Sequence, residues 1–168
     1  MLRLYPLGLL LLLWAPLPLQ AGKFVHTPYK EQKVVFDFYF NHPEQINSAL
    51  YWIRSLVNPL NEAPYDLGPD FHDIKVVIHG TEIVTVARKN YKKYRRAVER
   101  MRYWAELGVQ FKVCGLAAAD YAYEVGDFYE FIDVVPSAIT ELAHWQSQGY
   151  ALITPQVLDK QFSIEEIR

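Results

Sequence analysis

One side chain in the sequence is a strong nucleophile: Cys114, the only cysteine, in the stretch "VQFKVCGLAAADYAY" from Val109 to Tyr123. It follows a run of strand-forming residues and precedes a helix expected to start near Leu116. A helix N-terminus offers free N–H groups and a positive dipole end, and both favour thiolate over thiol. Gly115 leaves room for a ligand to approach the backbone, and the amides of Gly115 and Leu116 would hold an anion there. Asp120 and Glu124 act in the opposite sense, because nearby negative charge disfavours the thiolate. The competing reading is packing, since cysteine is among the most buried residue types.

In open parallel sheets, sites form at the carboxyl ends of the strands. The other candidates are therefore Asn41 and His42 after a first strand, His79, Gly80 and Glu82 after a second, and Pro136 and Ser137 after a fourth. His79 would be base or hydrogen-bond partner to Cys114 if strands two and three are neighbours, as in other activated Cys–His pairs. The alternative is a histidine satisfied by backbone at a strand end. Asn41 and Gly80 are expected to line the same cleft as Gly115 and Leu116. His26, His42, His72 and His144 lack ligand spacing, so no metal is expected. The absence of a GxSxG elbow, a P-loop and a GxGxxG turn leaves serine hydrolase, nucleotide hydrolase and dinucleotide readings without support, and no cofactor is expected.

These residues need elements to hold them. "KVVFDFYF" (Lys33 to Phe40) alternates as a strand, and Asn41 with Glu44 would cap the helix behind it. Ile46, Ala49, Leu50, Ile53, Leu56, Val57 and Leu60 recur at helical spacing. "DIKVVIHG" (Asp73 to Gly80) reads as a second strand, followed by a long helix from about Val84 to Leu107 that Gly108 would stop. "VQFKVCG" is strand three, "LAAADYAYEVGDFYEFI" an irregular helix and "DVVPS" strand four. Ser137 would cap a last helix through Gln148, and "YALIT" would be strand five. Alternating strands and helices predict one three-layer α/β/α domain, residues 33–155, on a parallel sheet of about five strands. Residues 22–32 form a lead-in and 156–168 a tail.

The chain has 168 residues and a formal net charge of −2, which points to neither nucleic acid nor an anionic membrane as partner. Aromatic residues make up 15%, a level that suits interfaces as well as cores. Lysine and arginine crowd Arg88 to Arg102 and are absent from Val113 to Asp159. Three readings fit: solvated helix faces, an acidic surface on one subunit meeting a basic one on another, or a basic helix on nucleic acid, which the export reading below disfavours. The opening "MLRLYPLGLLLLLWAPLPLQAGK" has a positive start, a short apolar run and a small residue at Ala21. It reads as a signal peptide over residues 1–21, with cleavage after Ala21 and a periplasmic or secreted mature chain. An uncleaved membrane anchor is the alternative; after cleavage no membrane contact is expected.

With "KVVFDFYF", "VVIHG", a long helix, "GVQFKVCGLAAADY" and "FIDVVPSAITELAHWQSQGYALITP" in this order, the chain resembles the DsrE/DsrF-like sulfur-relay superfamily over Lys33 to Pro155. The resemblance implies a compact parallel-sheet fold assembled into trimers or hexamers. It also implies that a cysteine matching Cys114 carries sulfur as a persulfide and passes it to a partner, and that strands two and three are neighbours. Two functions follow as expectations. One is an exported sulfur carrier, working by covalent carriage more than turnover, with a sulfur donor and acceptor as partners. The other is a non-catalytic binding or assembly module in which Cys114 is core. A thiol–disulfide oxidoreductase would lack its CxxC partner.

Overall fold

The computed structural model describes residues 21–168. The signal-peptide reading therefore lies outside the described residues, apart from Ala21. Five strands form one all-parallel sheet: β1 (Gln32–Phe38), β2 (His72–Ile78), β3 (Gln110–Cys114), β4 (Ile132–Val135) and β5 (Ala151–Ile153), in the order β4-β3-β2-β1-β5. The register pairs Phe38 with Ile78, Ile78 with Val113, and Cys114 with Val135. Strands two and three are thus adjacent, and their carboxyl ends lie level.

Because strand side chains alternate between faces, each strand feeds two cores. Val34, Phe36, Phe38, Ile74, Val76, Ile78, Phe111 and Val113 point to one side. There they meet α1 (Ile46–Asn61) and α2 (Tyr91–Glu106), which supply Ala49, Leu50, Ile53, Ala97, Val98 and Met101. Every position predicted for the apolar stripe of α1 is buried except Leu56, which is half-buried. On the other side Val35, Val77 and Cys114 pack with Ala138, Leu142 and Tyr150 of α4 (Ala138–Ser147) and the turn behind it. The fold is a three-layer α/β/α sandwich with unequal outer layers.

The thin layer is completed by charge. Lys75 and Lys112, both buried, lie over the Trp145 ring at 4.7 and 5.8 Å. Lys75 meets Asp73, while Lys112 meets Asp133 at 3.3 Å and Glu141 at 3.6 Å. The Tyr150 hydroxyl donates to Asp73, and burial together with that bond pushes the phenol up to about 12. Arg102 approaches Glu130 at 3.6 Å. Several acids of the lysine-free segment thus find cations within the same chain.

Three expectations need correction. The long helix does not begin at Val84: Thr81–Thr85 and Arg88–Asn90 are separate 3₁₀ turns, and α2 starts at Tyr91. Between the turns Ala87 is extended and bridges Phe128, which interrupts helical hydrogen bonding. The irregular helix after β3 is the short α3 (Gly115–Asp120), ended by Tyr121, with a further turn at Val125–Asp127. Asn41 caps nothing: the turn leading into α1 starts at Pro43, and Gln45 Oε1 accepts the His42 N–H at 3.0 Å. Gly108 does stop α2, with a φ of 92°. The tail carries one more turn of helix, α5 (Ile164–Ile167), and among the described residues no helix is long and apolar enough to cross a membrane.

The unequal layers predict unequal mutational costs. Phe111→Ala, emptying a fully buried site on the thick side, should cost about 3–5 kcal/mol in urea unfolding. Leu152→Ala on β5, 44% exposed, should cost less than about 1 kcal/mol. Equal costs would contradict this account of the layers.

Candidate functional site

Cys114 is the last residue of β3, and its side chain faces the α4 layer, where it is buried at 6% exposure. Its cluster includes Ala138, the first residue of the ten-residue α4. Ser137 occupies the N-cap position there, but its hydroxyl bonds none of the helix amides. The positive helix end beside the thiol is therefore that of α4 as well as that of α3, which spans six residues only. Leu116 is 65% exposed and forms the outer rim.

Gly115 plays a different part from the one expected. A Cβ there would lie 2.9 Å from the Val135 carbonyl, so the missing side chain makes room for the β4 backbone, not for a ligand. Gly80 is a second close approach: a Cβ would meet the Phe40 amide nitrogen at 2.5 Å and Glu82 Oε2 at 2.6 Å. Asn41 is exposed on the loop after β1 and makes no side-chain hydrogen bond among the described residues. The sheet edge gathers His79, Gly80, Cys114 and Gly115, and leaves Asn41 at its margin.

His79 continues the β2 ladder by donating its N–H to the Phe38 carbonyl at 3.1 Å. Its ring stacks on Tyr39, with centroids 4.8 Å apart, and its Nε2 lies 2.7 Å from Asp37 Oδ1. The other Asp37 oxygen takes the Thr154 hydroxyl at 3.3 Å. Asp37, Tyr39 and His79 share the face of the sheet to which Val35, Val77 and Cys114 belong. An Asp–His pair and a thiol thus stand on one face at one end of adjacent strands. Among the described residues no hydrogen bond joins His79 to Cys114, and with Nε2 held by Asp37 the free ring nitrogen is Nδ1.

Beneath this edge is Glu82, fully buried. Its Oε1 accepts the His79 and Gly80 amides at 3.2 and 2.9 Å, and its Oε2 accepts the Phe40 amide at 3.0 Å. Burial pushes its carboxyl upward, against the pull of those backbone hydrogen bonds. Among the described residues no group of three His, Cys, Asp or Glu side chains is placed to share a metal.

The DsrE/DsrF-like family model matches residues 33–155. The chain belongs to the DsrE/DsrF-like family. A solved structure, of a protein of unknown function from Methanobacterium thermoautotrophicum, is similar at 21% identity and a TM-score of 0.58, covering 74% of this chain and 99% of that one. That likeness concerns the fold. No curated protein matches.

Within this DsrE-like sheet, sequence reasoning named Cys114 and His79 as candidates and did not name Asp37, the partner that the structure gives His79. Asp37 is the fifth residue of an alternating strand, where a lone acid between Phe36 and Phe38 reads as a solvated position. The available signal was parity: Asp37 shares a face with Val35, and its neighbour in register is Val77, two residues before His79.

The burial of Glu82 fixes the sign of a pH effect. A carboxyl whose folded value is raised binds protons more readily when folded, so its ionisation removes stability as pH rises above the unfolded value near 4.5. Glu82→Gln should be less stable than wild type by about 1–3 kcal/mol at pH 4, because its amide group faces a backbone donor. That gap should narrow as pH rises from 4.5 towards 7, measured by denaturant unfolding of both proteins. A gap that widens with pH would reverse the assignment.

Proposed function

We propose that the protein handles sulfane sulfur, carrying it on Cys114 as a persulfide. The observation behind this reading is the shared sheet face: the single thiol, at a strand end beside the start of α4, lies level with the Asp37–His79 pair on the neighbouring strands. Membership of the DsrE/DsrF-like family supports it. His79, oriented by Asp37, takes the thiol proton. The thiolate then attacks the terminal sulfur of a donor persulfide, the donor's S–S bond breaks, and the donor leaves as a thiolate. Release to an acceptor thiol is the same exchange in reverse, so no external oxidant or reductant is required. The N-terminal amides of α4 face the anionic persulfide. The reading includes export of a mature chain starting at Gly22 and assembly into a homo-oligomer, with a sulfur donor and acceptor as partners.

A second reading has its own observation. Cys114 is 6% exposed and packs among Val35, Val77, Ala138 and Leu142, as a purely structural cysteine would. In that case the protein is a binding or assembly module of this fold.

Intact mass after incubation with polysulfide separates the two. A gain of one or more sulfur atoms, reversed by reductant and absent in Cys114→Ser, supports the carrier. His79→Asn and Asp37→Asn should then slow loading by about 10²-fold without changing the mass reached, the effect of removing a positioned base or its orienting group. An unmodified protein that also resists alkylation while folded would sink the carrier and leave the packing reading.

A further inference from the structure

On the opposite face of the sheet, α1 and α2 pack on each other, and the C-terminal tail runs past them. Together they wall a hollow of about 620 Å³, within the size range of small-ligand sites. Its lining includes Arg54 from α1, Arg96 and Arg100 from α2 and Lys160 from the tail, with the exposed aromatic rings of Tyr51 and Trp52 alongside. The Gln45 side chain ties the tail down by donating to the Val157 carbonyl at 3.3 Å.

Among the described residues no carboxylate forms an ion pair with Arg54, Arg96, Arg100 or Lys160. Glu99, on the rim of the adjoining hollow beside Arg54 and Arg100, accepts instead from the Tyr91 hydroxyl at 2.7 Å. Arg100 is held in place, donating through Nη1 to the Asn47 carbonyl at 2.6 Å. Burial, then the like charges of Arg96 and Arg54, depress its affinity for a proton. Surface arginines are ordinarily interspersed with acids. Three guanidiniums on one hollow supply several forked donors, a geometry that suits tetrahedral oxyanions.

We propose that this groove binds a phosphate or sulfate group, seated between Arg54, Arg96 and Arg100, with Lys160 closing over it from the tail. The anion comes either free or on a ring-bearing ester, and Tyr51 and Trp52 are placed to receive such a ring. The site lies on the other side of the sheet from Cys114 and is independent of the sulfur chemistry.

Isothermal titration of the full chain at low ionic strength, with inorganic pyrophosphate and with phenyl phosphate as probes, tests the assignment. At least one probe should bind, and the double variant Arg54→Ala/Arg96→Ala should weaken it by at least about tenfold. Both arginines are exposed, so the variant's thermal midpoint should stay near that of wild type. Pyrophosphate binding alone identifies a free oxyanion. Phenyl phosphate binding that Trp52→Ala weakens identifies the ester. Neither probe binding, or both binding the double variant as well as wild type, overturns the site.

Discussion

A single buried carboxyl group fixes the carboxyl-end edge of this sheet. Glu82 is sealed from solvent, yet it gathers amides from two different loops, Phe40 after β1 and His79 with Gly80 after β2. At the strand ends the Phe40 and Gly80 N–H groups have no ladder partner, and a buried, unpaired amide is costly. One side chain satisfies both, shares the His79 N–H with the Phe38 carbonyl, and locks the two loops together. The contact needs Gly80, because any side chain there would strike both the Phe40 backbone and the Glu82 carboxylate. His79 and Tyr39 take their positions from this clamp, and through His79 so does the pair with Asp37.

The unequal layers follow from element lengths. A ten-residue helix is about 15 Å long and about 10 Å wide, whereas five strands about 4.8 Å apart make a broader sheet. The single helix α4 cannot cover that face with apolar side chains alone. The uncovered positions are met by Lys75 and Lys112, whose buried ammonium groups lie over the Trp145 ring and reach Asp73, Asp133 and Glu141. On the other face two sixteen-residue helices do cover the sheet, and the strands there are apolar beyond their first residues, Gln32 and His72.

Much of this was legible in the chain. The stripe of α1, the five strands and the stop at Gly108 follow from periodicity and turn chemistry, and all three depend on neighbours close in sequence. The start of α2 was not legible, because Ala87 leaves the helical pattern only to bridge Phe128, a partner far along the chain. The same limit hid the roles of the glycines. Gly115 and Gly80 stand out as strand-end residues, but whether a ligand or another backbone fills the vacant space is decided by Val135 and Phe40. Asp37 was hidden by parity: its meaning appears only when β1 lies beside β2 in register.

The thiol sits where two demands meet. Val35, Val77, Ala138 and Leu142 pack around Cys114 and exclude water from it, which protects a lone cysteine from random oxidation. The start of α4 packs on the same cluster, and the Asp37–His79 pair stands on the same face of the sheet. Cys114 ends its strand, and the exposed Leu116 stands just beyond it at the rim of the sheet end. A cysteine serving packing alone could sit anywhere along β3. At Val113, one position earlier, the side chain belongs to the thick core and would be out of reach of both His79 and α4. The strand end is the one place on β3 where a side chain can be sheltered by the α4 layer and still lie beside the polar edge that Glu82 holds together.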